Sequence, residues 1–242
     1  LRSLARTAGA NVVDEMLAKR RKVHPGLYVG TGKAEQIAER CHQNEVDTVI
    51  FDNDLTPAQI RDLEAVVGRK ILDRSELILD IFAAHARTAE SRLQVELAQL
   101  EYTYPRLRHM WTHLERVAGG ATTAAAAVGG IGTRGPGEKQ IEIDRRLVRK
   151  RVAYLRRKIA EVDRRKVQAV RGRADAFCAC LVGYTNVGKS TLMNRLTDAG
   201  TYVADELFAT LATKTRRWRL DGGQDVLLSD TVGFVRDLPH HL

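Results

Sequence analysis

The chain is 242 residues long, 44% hydrophobic and only 5% aromatic, with 39 Lys and Arg against 30 Asp and Glu and a formal charge of +9. That length allows one or two domains with a packed core, and the sparse aromatics argue against a β-sandwich. Three cysteines (Cys41, Cys178 and Cys180), with no Cys-x-x-Cys pair, exclude a disulfide framework and point to a reducing compartment. No apolar run reaches membrane-spanning length and the first residues lack an apolar signal-peptide core, so a soluble, cytoplasmic protein with no membrane span is expected. The basic balance points to a polyanionic partner, nucleic acid or an anionic membrane, and the distribution of charge decides more than the total.

Residues 1–87 alternate between strand-like and helix-like stretches. Ala10-Asn11-Val12-Val13 and Leu27-Tyr28-Val29 read as strands, Lys33 to Asn44 as a helix, and Thr48-Val49-Ile50-Phe51 as a buried strand. Thr56-Pro57 supplies an N-cap and a first-turn proline for a helix ending at Val67. Lys70-Ile71-Leu72 is a short strand, and Ser75 is expected to cap a helix through His85. The β-α-β-α-β order predicts a small α/β domain with a mostly parallel sheet. Gly30-Thr31-Gly32-Lys33 looks like a second phosphate loop but lacks the spacing and the hydroxyl after Lys, so a strand-to-helix turn is the better reading.

Residues 88–173 change character. Leu93, Leu97, Leu100, Tyr104, Leu107, Trp111 and Leu114 recur at alternating spacings of 4 and 3, and Val148, Val152, Leu155, Ile159 and Val162 repeat the pattern. Two heptad helices joined by one loop predict an antiparallel coiled-coil hairpin with arms about 45 Å long, with a kink or break at Pro105. The joining stretch, 118–139, is rich in Gly and Ala and far longer than a hairpin needs, so it is expected to form a mobile, functional tip loop. The second arm is strongly basic. Arg145, Arg146, Arg149, Lys150, Arg151, Arg156, Arg157, Lys158, Arg164, Arg165, Lys166, Arg171 and Arg173 have only Glu161 and Asp163 as nearby acids. Such uncompensated charge predicts contact with a phosphate backbone, read by charge and shape.

Residues 174–242 open with Phe177-Cys178-Ala179-Cys180-Leu181-Val182, a short apolar run that predicts a buried strand. Gly183-Tyr184-Thr185-Asn186-Val187-Gly188-Lys189-Ser190 follows it, the pattern G-x-x-x-x-G-K-[ST], and then a helix from Thr191 to Leu196. The glycines let backbone N–H groups turn inward onto phosphate oxygens, Lys189 adds a cation for the β- and γ-phosphates, and the Ser190 hydroxyl can hold Mg²⁺. Downstream, Val226-Leu227-Leu228-Ser229 runs into Asp230-Thr231-Val232-Gly233, a D-x-x-G that sets a carboxylate near the Mg²⁺ water shell and the Gly233 N–H near a γ-phosphate. Between them lies Phe208-Ala209-Thr210-Leu211-Ala212, in the place of a first switch loop, where Thr210 is the candidate second Mg²⁺ ligand. Lys189, Thr210 and Gly233 are the candidate catalytic groups.

Several of these runs resemble the HflX family of ribosome-associated GTPases: Gly183 to Ser190, Leu207-Phe208-Ala209-Thr210-Leu211, and Asp230-Thr231-Val232-Gly233-Phe234. More specific are Gly132-Thr133-Arg134-Gly135-Pro136-Gly137-Glu138 with Ile143-Asp144-Arg145-Arg146; Gly32-Lys33-Ala34-Glu35 and Leu55-Thr56-Pro57-Ala58-Gln59 extend the likeness into the first segment. The resemblance covers essentially the whole chain. It implies an α/β fold in three parts: a small parallel α/β domain (1–87), a helical hairpin (88–173) and the first part of a P-loop GTPase domain (174–242). It further implies GTP and GDP as substrate and product, a monomer, binding to the large (50S) ribosomal subunit and its rRNA through the hairpin and the 118–139 loop, and the splitting or rescue of stalled ribosomes under stress.

Two departures stand out. Where the family usually continues Asp-Pro-Thr-Thr-Arg, this chain has Ala212-Thr213-Lys214-Thr215-Arg216, which alters the switch segment while keeping Thr210. The family's later Asn-Lys-x-Asp base-reading motif is not among the 242 residues, so guanine preference rests on the resemblance, and the GTPase domain is expected to be incomplete and weak in nucleotide binding. Many GTPases place a Gln after D-x-x-G to orient the attacking water; here Phe234 cannot hydrogen-bond, which predicts slow intrinsic turnover. The residues also leave open an ATPase and a non-enzymatic, nucleotide-regulated RNA-binding module.

Overall fold

The computed structural model describes residues 1–19, 22–119, 136–171, 177–197, 207–208, 213–220 and 222–235. The first region is built on a parallel pair of strands, β1 (Thr48–Ile50) and β2 (Lys70–Leu72), in register from Thr48 opposite Lys70 to Ile50 opposite Leu72. Helix α1 spans Arg2–Thr7, α2 Thr31–Gln43, α3 Pro57–Val67 and α4 Arg74–His85. Helix α3 starts and stops where its sequence dictates. Thr56 Oγ1 accepts from the Gln59 N–H, the Gln59 side chain accepts from the Thr56 N–H, Pro57 fills the first turn, and Gly68 ends the helix.

The core beneath this helix contains Leu27, Ala34, Cys41, Leu55, Leu63, Val67 and Ile71, with Leu63 and Ala34 fully buried. Each large aliphatic side chain buried there contributes about 1.5–3 kcal/mol. A second cluster joins Leu4 and Ala5 of α1 to Leu77, Ile78, Ile81 and Phe82 of α4 and to Val95.

Three expectations fail here. Ala10–Val13 is not a strand: α1 buries its short apolar face on α4, the Ala10 N–H returns to the Ala5 carbonyl, and Val12 packs against the same cluster. Leu27–Val29 forms only an isolated bridge between Tyr28 and His24, because the His24 ring folds back to accept from the Gly26 and Leu27 N–H groups and closes a turn. The described sheet of this region therefore has two strands. Finally, α4 is capped by Asp73, whose Oδ1 accepts from the Glu76 N–H at 2.9 Å; Ser75 lies inside the first turn and donates to Asp54.

Helices α5 (Ala89–Gly119) and α6 (Pro136–Arg171) form the hairpin. Their cross-contacts fix an antiparallel sense: Arg149 meets Tyr104, Arg156 meets Glu101 and Lys166 meets Glu90, the α5 partner falling as α6 rises. Of the described heptad residues, Leu155 is fully buried, and Leu93, Leu97, Leu100, Val148, Val152, Ile159 and Val162 are partly buried. Helix α5 continues through Pro105, contrary to the expected break. Proline removes a single N–H, and α5 is held by packing against both α4 and α6. A second face of α5, Ser91, Val95 and Ala98, is buried more deeply than the partly buried heptad residues Leu93, Leu97 and Leu100, and Tyr102 on the same face donates to buried Asp73. The hairpin is thereby rooted in the first region. Residues 118–119 and 136–139 of the predicted tip are helical, and the rest of the tip lies outside the described residues.

The last region is a three-stranded sheet in the order β3-β5-β4 with helix α7 (Lys189–Thr197). Strand β3 (Phe177–Leu181) runs parallel to β5 (Asp225–Asp230), and β4 (Lys214–Arg219) antiparallel to it. The sequence predicts β3 buried, yet Phe177 is 72% exposed and Cys178 and Cys180 are exposed. Among the described residues only β5 pairs with it. Among the described residues, no helix is long and apolar enough to cross a membrane.

Candidate nucleotide site

The site forms at the carboxyl ends of the parallel strands β3 and β5, the end of an α/β sheet where ligands bind. The chain leaves β3 at Leu181, turns through Gly183–Gly188 and enters α7 at Lys189. The turn requires left-handed backbone: Asn186 has φ 60° and Gly188 φ 88°. A glycine adopts that conformation without steric cost, and from Gly188 the carbonyl already accepts the first helical bond, from the Leu192 N–H at 2.8 Å. The N-terminal N–H groups of α7 thus face the concavity of the loop.

Within the loop the polar groups engage one another. Lys189 Nζ donates to the carbonyls of Gly183 at 3.1 Å and Tyr184 at 2.6 Å. Burial lowers the Lys189 pKa from its ordinary value, with the Asp230 carboxylate pulling the other way. Asp230, at the end of β5, is fully buried and accepts from the Ser190 hydroxyl at 2.5 Å. Thr231 Oγ1 donates to the Leu181 carbonyl at 2.7 Å, tying the D-x-x-G turn to the end of β3. Beyond it the chain crosses back over the loop. The Phe234 N–H donates to the Gly183 carbonyl and the Thr185 N–H to the Phe234 carbonyl, both at 2.9 Å, a parallel bridge between Tyr184 and Phe234. Gly233 is pressed so closely on Thr185 that a Cβ there would lie 2.5 Å from the Thr185 Cα.

The predicted residues Gly183–Ser190 and Asp230–Gly233 are therefore brought together. Ala209, Thr210, Leu211 and Ala212 lie outside the described residues. Phe208 is not brought to the loop: its ring is 2% exposed and meets Phe82 of α4 edge-on at 4.6 Å. Leu207, Val232 and Val235 pack against the same cluster. Sequence reasoning missed both this contact and the Thr185–Phe234 bridge. The left-handed φ of Phe208 (60°) and the hydrophobic run Val232-Gly233-Phe234-Val235 are their only local signals. The Ser190 hydroxyl and the Asp230 carboxylate are hard oxygen donors within one small site, which fits Mg²⁺.

The hairpin's cations divide into two sets. Arg151 pairs with Glu96, Arg156 with Glu101 and Lys166 with Glu90, at 2.7, 2.6 and 2.5 Å. The expected lack of acidic partners is thus corrected for these residues, since the acids come from the facing helix. Among the described residues, Arg146, Lys150 and Arg164 meet no carboxylate, and Arg157 lies over the ring of Tyr154. Lys150, Arg157 and Arg164 are seven apart, so they form one row on α6 at steps of about 10.5 Å.

Comparison with known proteins agrees along the whole chain. Family models described as "GTP-binding GTPase N-terminal", "GTP-binding GTPase Middle Region" and "50S ribosome-binding GTPase" match residues 1–83, 85–173 and 178–241. The chain is 48% identical over 244 residues to a protein named GTPase HflX from Lacrimispora saccharolytica, matching 100% of this chain and 55% of that one. It is 46% identical over 242 residues to GTPase HflX of Escherichia coli, matching 99% of this chain and 54% of that one. The chain thus spans about half the length of these relatives. A GTP-binding protein from Sulfolobus solfataricus, solved with GDP, shares the fold at TM-score 0.50 and 22% identity over 99% of this chain and 58% of that one. A second GDP complex, of SsGBP, matches at TM-score 0.55 and 23% identity over 99% and 60%.

Proposed function

Because this chain belongs to the HflX family of GTPases, we propose that its protein binds GTP, hydrolyses it to GDP and phosphate, and uses the nucleotide to time docking on the large ribosomal subunit. Docking serves to split or rescue stalled ribosomes under stress, and the protein acts as a cytoplasmic monomer. The observation that carries the nucleotide reading is the meeting of loop 183–190 with Asp230 at the ends of two parallel strands. The relatives' shared name and the description of the model matching 178–241 support the choice of guanine nucleotide and ribosome.

In the proposed mechanism the N–H groups at the start of α7 bind the phosphates and Lys189 turns from its loop carbonyls to the β- and γ-oxygens. The Gly233 N–H reads the γ-phosphate. Ser190 and Thr210 would hold Mg²⁺, with the Asp230 carboxylate beside Ser190, and the ion would supply charge neutralisation for the phosphates. Water attacks the γ-phosphorus in line. Phe234, 54% exposed, offers no side-chain hydrogen bond to orient that water, so intrinsic turnover is slow and the ribosome reorganises the site. The open cations of α6 and the tip loop make the rRNA contacts, largely to phosphates.

GTP turnover by the full-length protein, measured with and without 50S subunits, tests this. Strong stimulation is expected; equal rates would reject it. The same Phe234 favours a second reading, a module in which nucleotide regulates docking without hydrolysis mattering. A Lys189→Ala protein that still splits ribosomes fully would favour that reading, and tighter binding of ATP than GTP would point to an ATPase.

A further inference from the structure

Strand β4 lies at the edge of its described sheet and carries Lys214, Arg216, Arg217 and Arg219. Edge strands often bear such cations as a guard against pairing with another chain, and a guard faces solvent. The three arginines are exposed, but Lys214 is partly buried. The register accounts for the difference. Lys214 stands opposite Asp230, Arg216 opposite Leu228 and Trp218 opposite Val226. Directly opposed residues of an antiparallel pair share one face of the sheet. That face is the one α7 covers, because Asp230 accepts from Ser190 of α7 and Val226 and Leu228 are buried there. Lys214 is thereby set on the nucleotide side of the sheet, at the residue that carries the site's carboxylate.

We infer that Lys214 is a second cation of the nucleotide site, one that supplies charge beside Asp230 and the phosphates and makes nucleotide binding less dependent on Mg²⁺. The inference rests on the nucleotide reading above. Opposed Cβ atoms in such a ladder lie about 4.5–5.5 Å apart, a gap that the four-carbon stem of a lysine spans. Among the described residues Lys214 is ion-paired with no carboxylate, whereas Arg217, on the other face, pairs with Asp225. The ammonium is therefore available to a phosphate or to Asp230. Ser190 and Asp230 are the hard oxygens that fit Mg²⁺, and a cation that shares their carboxylate competes with the ion and replaces part of its charge. The switch segment differs from the related Asp-Pro-Thr-Thr-Arg pattern in this same sense. Ala212 stands in place of an acid and Lys214 in place of a neutral threonine, a gain of two positive charge units at the border of the site.

The test is the factor by which removal of Mg²⁺ weakens binding of fluorescent GDP to the full-length protein, measured with Mg²⁺ and again in EDTA. Lys214→Thr and Lys214→Gln remove the charge, the second with nearly the same length of side chain, so the measurement survives if one of them does not fold. Lys214→Arg keeps the charge, and Arg216→Thr removes the exposed cation two residues along the same face. Either charge-free variant at Lys214 is expected to enlarge the Mg²⁺ factor about five- to twentyfold, as loss of one nearby unit charge in a partly screened site allows. Lys214→Arg and Arg216→Thr should stay within about twofold of wild type. Equal Mg²⁺ factors in wild type and the charge-free variants overturn the inference, as does an equal change in Arg216→Thr, which would assign the effect to the charge of the whole strand. Failure of the wild type to bind GDP in the presence of Mg²⁺ is a different result, which removes the nucleotide reading itself.

Discussion

The phosphate loop and the basic hairpin both concentrate cations, and they treat them in opposite ways. In the loop, Lys189 is turned onto carbonyls five and six residues away and Ser190 is held by Asp230, so each group has an internal partner that a phosphate can replace. On α6, part of the charge is committed to glutamates of the facing helix, whereas Arg146, Lys150 and Arg164 meet no carboxylate among the described residues. The first arrangement suits a ligand that comes and goes with a change of conformation. The second suits a surface already set to receive a polyanion. The two sites therefore differ in what binding costs: rearranged contacts in the loop, released counterions on the hairpin.

The largest effect expected is at the loop. Lys189→Ala should weaken GTP affinity about hundredfold, because a partly buried cation facing phosphate is lost; isothermal titration of the full-length protein reads it, and a loss under about threefold would mean that Lys189 stays with its carbonyls. Next is the root of the hairpin. Tyr102→Phe deletes the hydroxyl that donates to buried Asp73 and should cost about 1–3 kcal/mol in urea unfolding. An unchanged midpoint would show that the hairpin is not anchored there.

The division of the α6 cations is sharpened by two multiple variants. Lys150→Ala/Arg157→Ala/Arg164→Ala should lower affinity for large subunits about tenfold and flatten its salt dependence by about two to three log units per log unit of salt. Arg151→Ala/Arg156→Ala, whose cations are paired, should do distinctly less. Equal effects would erase the distinction. The smallest effect is that of pH. Bound phosphate raises the Lys189 pKa that burial lowers in the free site, so binding takes up a proton. Affinity is thus full while Lys189 is charged in the free protein, and falls as pH rises through the alkaline range below the ordinary lysine value. Lys189→Arg should flatten that fall.

What could be read from the sequence follows the reach of each interaction. The loop, α3 with its Thr56 cap and Val67 end, and β2 were legible because their determinants lie within a few residues. The Ser190–Asp230 contact joins two motifs forty residues apart, and the motifs' chemistry was enough to pair them. The ion pairs of α6 were not legible: Arg151 and Glu96 are 55 residues apart and Lys166 and Glu90 are 76 apart, so a search for i, i+4 acids passes them by. The second buried face of α5 was hidden beneath a strong heptad, since a helix gripped on two sides shows its clearer stripe first. Strand β4, Lys-Thr-Arg-Arg-Trp-Arg, has the composition of a solvated segment and is a strand through its pairing with β5.

The proposed function requires that nucleotide held in the loop govern docking of the open α6 cations on the large subunit. Co-sedimentation of the full-length protein with 50S subunits, at rising salt, with a GTP analogue or with GDP, tests it most directly. Pelleting with the analogue is expected to fall steeply as salt rises, with much weaker pelleting with GDP at every salt concentration. Pelleting that ignores both salt and nucleotide, or none at any salt, would contradict it.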